Sequence, residues 1–188
     1  GHLAVHDHVA ASTQNVALNA LLFLYRHVLK QDFPDLVDLE RSRRPRLLPT
    51  VFTREEVPRV LAHLTGTPHL MASLLYGGGL RLMECVRLRV KDLDFAYHQI
   101  VVRDGKGAQD RVTMLPQSLG AALQRHLTQV QALHARDLAE GCGEVYLPYA
   151  LERKDPGAGK SWIWQYVFPA SKRSVDPRAG IERRHHLS

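Results

Sequence analysis

The stretch Gly77-Gly78-Gly79-Leu80-Arg81-Leu82-Met83-Glu84 decides how the middle of this 188-residue chain folds. Three consecutive glycines are unfavourable inside a helix and useful where the backbone turns sharply or approaches a ligand closely. They therefore end a helix predicted over residues 68–76, and a short second helix is predicted to begin after Arg81. Glu84 follows one helical turn later, where its carboxylate can orient Arg81 or a neighbouring backbone group.

Downstream of this turn the hydrophobic period changes from helical to alternating, which is typical of strands. Three short strands are predicted, at residues 90–95, 100–103 and 111–115. Turns at Ala96-Tyr97-His98 and Gly105-Lys106-Gly107 join them as an antiparallel sheet. Lys106 is therefore predicted to lie at the tip of a hairpin.

Helical patterns flank these strands on both sides. Apolar residues recur at helical spacing from Ser12 to Leu29, and Thr53 with Glu56 forms a capping box ahead of a further helix. A long amphipathic helix is predicted over residues 117–140. The fold class is therefore predicted to be mainly α with a small antiparallel three-stranded sheet.

The order of these patterns predicts two domains and a linker. One amphipathic helix cannot bury its apolar stripe alone, so residues 1–40 are interpreted as the end of a helical domain. Residues 41–50 are predicted to form a basic linker. Residues 51–188 are predicted to form a second domain, whose sequence becomes aromatic and basic after Gly141.

Basic residues are unevenly distributed along the chain, whose net charge is +6. Residues 1–40 hold two Lys/Arg against five Asp/Glu, residues 41–140 fifteen against nine, and residues 141–188 eight against five. In the linker, Arg43, Arg44 and Arg46 are predicted to follow a phosphate backbone. A solvated basic loop is the alternative, because a basic balance suggests an acidic partner without identifying nucleic acid.

Composition argues against several other classes of protein. No apolar run approaches 18 residues, so no membrane-spanning helix is predicted, and the N-terminus lacks the pattern of a secretion signal. Cys85 and Cys142 make neither a disulfide framework nor a metal pattern, which suits a reducing, cytoplasmic location. His2, His6 and His8 are interpreted as solvent or helix-end residues, and no metal or cofactor is predicted.

The arginine at the glycine turn and the lysine at the hairpin tip resemble the first arginine box and the β-hairpin lysine of the tyrosine recombinases. In that family a tyrosine cuts one DNA strand through a 3′-phosphotyrosyl intermediate, and basic residues surround the scissile phosphate. The resemblance implies that Arg81 grips this phosphate, that Lys106 protonates the leaving 5′ oxygen, and that Glu84 supports Arg81. It also implies a core-binding domain before the linker and the first part of a catalytic domain after it.

The family's second box, a histidine followed three residues later by an arginine, does not occur between Lys106 and Ser188. Tyr146, Tyr149 and Tyr166 precede any such box, so no nucleophile is assigned in this chain. We therefore expect a truncated fragment that does not cut DNA by itself.

The segment at about residues 144–170 resembles the insertion that marks integron integrases within this family. In that subfamily the insertion holds bases that protrude from folded single-stranded sites, and the intact enzyme assembles as a tetramer. The resemblance implies duplex DNA and hairpin DNA as partners. Basic and aromatic side chains in and after this segment are the predicted DNA contacts, namely Arg153, Lys154, Lys160, Trp162, Trp164, Lys172 and Arg173.

The same part of the chain contains further candidate DNA contacts, and its aromatic side chains have an alternative interpretation. Tyr166 is predicted to offer a third aromatic face, and His185-His186 beside Arg183-Arg184 are candidates for phosphate contact. The alternative is that Trp162, Trp164 and Tyr166 form one face of a strand packed on the core.

Three functional hypotheses follow from the sequence. The chain is part of a DNA-integrating enzyme that keeps DNA contacts, Arg81 and Lys106; or it is a stand-alone nucleic-acid-binding module; or it is a folded remnant without activity. The first two differ in whether a phosphodiester is broken, and the third lacks DNA affinity altogether.

Overall fold

The computed structural model describes residues 9–32, 50–103, 105, 109–148, 150–177 and 179–187. The chain forms two compact units, Gly1–Val51 and Phe52–Ser188. In the first unit an α-helix, α1, spans Ala11–Phe23 and continues as a π-helical stretch at Leu24–Leu29. The helix predicted from Ser12 to Leu29 is therefore confirmed.

The second unit begins with two helices whose starts were predicted. Helix α2 spans Glu56–Ala62. Its capping box is present, because the Thr53 N–H donates to Glu56 Oε2 at 2.8 Å and the Glu56 N–H donates to Thr53 Oγ1 at 3.3 Å. Helix α3 spans Gly66–Gly78, and the short helix α4 spans Leu82–Val86.

Two of the three glycines at the end of α3 have a clear structural reason. Gly79 ends α3 with a φ of 61°, a left-handed conformation that side chains with a Cβ adopt at a cost. A Cβ on Gly77 would stand 2.6 Å from Pro116 Cγ, so this position allows close packing of α3 against the chain that follows the sheet. The glycine run thus fixes the turn that presents Arg81.

A small antiparallel sheet follows α4. Its strands are β1 at Leu93–Asp94, β2 at Gln99–Val102 and β3 at Arg111–Met114. They lie in the order β1-β2-β3, with Ile100 opposite Leu93 on one side and Thr113 on the other. The predicted fold class, mainly helical with a three-stranded antiparallel sheet, is confirmed.

Helix α5 spans Gly120–Ala139, after a 3₁₀ turn at Gln117–Leu119, and only short elements follow it. These are helix α6 at Leu151–Lys154, 3₁₀ turns at Ala158–Lys160 and Trp162–Trp164, and a hairpin of β4 at Ser174–Val175 with β5 at Glu182–Arg183. The alternative that the tryptophans lie on a strand is wrong, because the backbone turns at both of them. The β4-β5 hairpin was not predicted.

The core of the second unit joins helices, sheet and the irregular C-terminal segment. Leu74, Ile100, Leu123 and Phe168 are fully buried in one cluster. Cys85 belongs to the same cluster, as predicted, and burial raises the pKa of its thiol to about 12. Within the described part of the chain, no helix has the length and apolar character needed to span a bilayer.

Candidate nucleic-acid interface

A groove of about 1350 Å³ lies on the second unit and is the centre of the candidate site. One part of its wall comes from α4, the turn after α4 and the base of the β2-β3 hairpin. The rest comes from α6 and the segment from Trp164 to Tyr166, and His185 and His186 also line the groove. The cationic side chains that line it are Arg81, Arg87, Arg89, Lys91, Arg103 and Lys154. We refer to this feature as the groove.

Arg81 stands at the start of α4 and is fixed by Glu84. The Arg81 N–H donates to Glu84 Oε2 at 2.9 Å, and Arg81 Nη1 donates to Glu84 Oε1 at 2.6 Å. The Glu84 side chain is only 7% exposed, whereas that of Arg81 is 58% exposed. The carboxylate therefore orients the guanidinium and leaves much of it open to the groove.

Glu84 also connects α4 to the sheet. Arg111, the first residue of β3, donates from Nη2 to Glu84 Oε2 at 2.6 Å and to the Gly79 carbonyl at 3.3 Å. Burial raises the pKa of the Glu84 carboxyl, but the hydrogen bonds from Arg81 and the charge of Arg111 outweigh burial and hold this pKa below its usual value. Glu84 is therefore ionised at neutral pH, as an orienting group for Arg81 must be.

Arg89 is buried beneath the groove and ties two parts of the chain together. Its Nη1 donates to the Trp164 carbonyl at 2.6 Å, and its Nη2 donates to the Tyr146 carbonyl at 2.8 Å and to Tyr166 Oη at 3.3 Å. Its guanidinium carbon lies 4.5 Å from the centre of the Tyr166 ring. Burial lowers the pKa of Arg89, which nevertheless remains a guanidinium charge because arginine titrates far above neutral pH. Arg89 thus anchors residues 162–168, which we call the aromatic segment, to the chain that follows α4.

The aromatic side chains of this segment differ in how open they are. Lys91 Nζ lies 4.2 Å from the centre of the Trp164 ring, and Arg89 lies 5.6 Å from it, so cations already contact this indole. Tyr166 is 6% exposed, so its ring is not open to a base, and its burial agrees with the alternative that this side chain packs on the core. Trp162 is half-buried, with its ring centre 6.1 Å from that of His134, and it lies outside the groove.

An acidic pair holds the base of the β2-β3 hairpin. Arg103 donates to Asp92 Oδ1 at 3.1 Å and to Asp110 Oδ2 at 3.3 Å, and Lys91 Nζ lies 3.3 Å from the same Asp92 oxygen. Two of the groove cations are therefore partly neutralised. Lys106 lies outside the described residues, between β2 and β3 in the sequence.

The remaining predicted DNA contacts are not among the described residues that line the groove. Arg153, Lys160 and Lys172 are exposed but do not line the groove. Arg173 is engaged in ion pairs with Glu140 at 2.7 Å and Glu182 at 3.5 Å. The linker residues Arg43, Arg44 and Arg46 lie outside the described residues.

The two arginines beside His185 and His186 make contacts within the protein. Arg183 is fully buried near Asp176, with 3.6 Å between Nε and Oδ2. Arg184 donates two hydrogen bonds to Asp137, at 2.6 and 2.8 Å. These bonds hold the pKa of the Asp137 carboxyl below its usual value. Of this group, only His185 and His186 line the groove.

Sequence reasoning missed Arg87, Lys91, Arg103 and Arg111. Arg87 is a charged residue directly after α4, which is a usable signal, but many solvated arginines share it. The contact of Arg111 with Glu84 joins residues 27 positions apart, and no local pattern reveals it. Among the residues that the structure describes, no group of three or more His, Cys, Asp or Glu side chains is arranged to hold a metal ion.

Residues 50–157 match the phage integrase family, and residues 1–35 match the SAM-like N-terminal domain of phage integrases. The first match covers more than half of the chain and includes Arg81, Glu84 and the β2-β3 hairpin. The chain therefore belongs to the phage integrase family.

Relatives within this family are similar over much of the chain. An integrase/recombinase of Escherichia coli is 50% identical over 185 residues, which cover 98% of this chain and 55% of that protein. The tyrosine recombinase XerA of Thermococcus onnurineus is 42% identical over 152 residues, covering 79% of this chain and 49% of that protein. A crystal structure of XerA recombinase aligns with a TM-score of 0.41 at 26% identity, covering 69% of this chain and 46% of that one. The chain spans about half the length of the curated relatives it matches.

Proposed function

We propose that this chain is the DNA-binding part of a site-specific tyrosine recombinase and that the groove receives the DNA backbone at Arg81. The observation that carries the proposal is that Glu84 fixes Arg81 by an ion pair while 58% of the Arg81 side chain stays exposed. A guanidinium offers a planar fork of donors that matches two phosphate oxygens and stays charged at any working pH. Arg81 would hold the scissile phosphate and neutralise charge that builds on it in the transition state.

The proposal assigns two supporting roles. Glu84 positions Arg81 without contacting DNA, and Lys106 delivers a proton to the leaving 5′ oxygen as general acid. The assignment to Lys106 rests on its place between β2 and β3 in the sequence and on the family resemblance. Arg43, Arg44 and Arg46 are proposed to follow the backbone on the way into the second unit.

Fluorescence anisotropy with a labelled 20-base-pair duplex tests the groove as the binding surface. Arg81→Ala removes one charge-assisted contact, and we expect affinity to fall about tenfold or more, since such a contact contributes on the order of 1.5–3 kcal/mol. Arg59→Ala is the matched control, because Arg59 is an exposed arginine on α2 that does not line the groove. Equal losses in both variants would contradict the assignment.

We further propose that this 188-residue chain holds DNA without cutting it, because the second histidine-arginine box and a tyrosine beyond it are absent from its sequence. Denaturing electrophoresis after incubation with labelled duplex checks this point. A covalent protein-DNA adduct would contradict it. Binding without an adduct fits part of a recombinase or a stand-alone binding module, whereas no binding at all would favour the inert remnant.

The finer proposal is that the chain is of the integron-integrase type and prefers hairpin DNA with protruding bases. The 3₁₀ turn at Trp162–Trp164 supports it, because Ile163 is 50% exposed at this turn and Trp162 is half-buried beside it. An apolar side chain and an indole at one turn suit stacking against an unpaired base, which is worth about 1–3 kcal/mol. Lys160 and Arg153 are exposed nearby in sequence, and Lys172 is a further proposed phosphate contact.

Competition between a hairpin with extrahelical bases and its fully paired counterpart tests this preference. Trp162→Ala with Trp164→Ala should abolish a preference for the hairpin. A preference that survives in this double variant would refute recognition by the aromatic segment, and equal binding of both DNAs by the unaltered chain would refute the integron type. Assembly of the intact enzyme as a tetramer and a cytoplasmic location, where its DNA lies, complete the proposal.

A further inference from the structure

We infer that Arg87 and Lys154 form a second phosphate-binding pair in the groove, separate from the grip of Arg81 on the scissile phosphate. The inference rests on the proposed function, since it names further contacts with the same DNA. It begins from how the cations that line the groove are engaged within the protein.

Four of these six cations already have partners in the described structure. Arg81 pairs with Glu84, and Arg89 is buried against carbonyl oxygens and aromatic rings. Lys91 and Arg103 share Asp92, with the carboxylate 3.3 and 3.1 Å from their nitrogens. Of these four, Lys91 and Arg103 would have to exchange a carboxylate for a phosphate in order to bind DNA, which reduces the net gain.

Arg87 and Lys154 differ from the other four. Both are exposed, and within the described residues neither side chain makes a hydrogen bond or an ion pair. With respect to the described residues, their donors are available to phosphate oxygens without the loss of an internal contact. Arg153, the neighbour of Lys154 on α6, is also exposed but does not line the groove.

The position of Arg87 suits a DNA strand held at Arg81. Arg81 precedes α4 and Arg87 directly follows it, so the two are six residues apart. A rise of about 1.5 Å per residue separates them by roughly 9 Å along the helix. This distance corresponds to two or three base-pair steps of about 3.4 Å, so a backbone that is held at Arg81 and runs along α4 would reach Arg87. Lys154, at the end of α6, would meet the DNA from a different element of the same groove.

The salt dependence of binding tests the inference. In the full chain, Arg87→Gln with Lys154→Gln should lower the slope of log K against log salt for duplex DNA by about 1.8, since each phosphate contact contributes about 0.9. Arg125→Gln with Arg136→Gln is the matched control, because it removes the same charge from exposed positions on α5 that do not line the groove. This control should leave the slope almost unchanged, and unaltered thermal midpoints should verify the fold of both variants.

The outcomes separate this inference from the proposed function. A loss of slope confined to the Arg87/Lys154 variant supports the pair. Equal changes in both double variants, with clear binding by the unaltered chain, would overturn the pair and leave the proposed function intact. No binding of duplex or hairpin DNA by the unaltered chain would overturn both. Tighter binding of a labelled poly-aspartate peptide than of DNA, lost in the same variant, would overturn the assignment to nucleic acid.

Discussion

Replacing Arg89 by methionine should loosen the aromatic segment and destabilise the second unit. Methionine retains much of the apolar contact but leaves the Trp164 and Tyr146 carbonyls without the donors that lie 2.6 and 2.8 Å away. Each of these partly buried carbonyls costs about 1–3 kcal/mol if it is left unsatisfied, and the lost contact of the cation with Tyr166 costs about 1 kcal/mol. Relief of the desolvation of a buried charge offsets part of this cost. We expect a net loss of about 3 kcal/mol in the free energy of unfolding.

Urea unfolding of the Arg89→Met and Arg87→Met variants measures this loss against a matched control. Arg87 is exposed, lies two residues away and has no side-chain partner in the described structure, so its replacement should change stability by less than about 0.5 kcal/mol. For a protein of this size, 3 kcal/mol corresponds to a fall of about 6–12 °C in the thermal midpoint. If the two variants lose unfolding free energy by amounts within about 0.5 kcal/mol of each other, the anchoring role of Arg89 is refuted.

Tryptophan fluorescence adds local information to the same experiment, because the two tryptophans of the chain, Trp162 and Trp164, lie on one 3₁₀ turn. Circular dichroism follows the helices instead. If Arg89 mainly anchors the aromatic segment, the fluorescence transition of Arg89→Met should precede the helical one. Coincident transitions would show that the segment and the core unfold together.

Three further predictions follow from single positions. Gly77→Ala should cost about 1–3 kcal/mol in chemical unfolding, because its Cβ would stand 2.6 Å from a proline carbon, whereas Gly120→Ala, with nothing within 4 Å, should be neutral or stabilising. Glu84→Gln adds positive charge yet should lower DNA affinity in anisotropy measurements, since it weakens the hold on Arg81; tighter binding would contradict this. Burial lowers the pKa of His134, so the folded state resists its protonation. The stability that depends on neutral His134 should therefore be lost as pH falls below about 6.5. The difference between the thermal midpoints at pH 7.5 and pH 5.5 should be smaller in His134→Gln than in the unaltered chain.

The sequence predicted the helix ends and the strands, because interactions between residues close in sequence determine them. The capping box of Thr53 and Glu56 marked the start of α2, and the glycine run marked the end of α3, because both act within a few residues. Alternating apolar residues gave the three strands, since one face of this sheet packs on the core. The contact between Arg81 and Glu84 was predicted in the same way, because it spans only three residues.

The groove could not be predicted, because contacts between distant residues build it. Arg89 and Arg183 look like surface arginines in the sequence, yet both are buried. Their burial depends on partners that the fold brings close, such as the Trp164 carbonyl, 75 residues from Arg89. Tyr166 looked like an exposed aromatic residue for the same reason. A sequence reports the charge of a side chain but not whether another part of the chain already neutralises it.

The way the aromatic segment is built into the fold limits how such proteins can diverge. Val167 and Phe168 are fully buried, the Val167 N–H donates to the Leu88 carbonyl at 2.8 Å, and the Val90 N–H donates to the Gln165 carbonyl at 3.0 Å. A transplant of this segment between relatives would leave gaps in the host's interior unless residues 88–92 were exchanged with it. Substitution is tolerated most easily at exposed positions such as Ile163, where it leaves the interior intact.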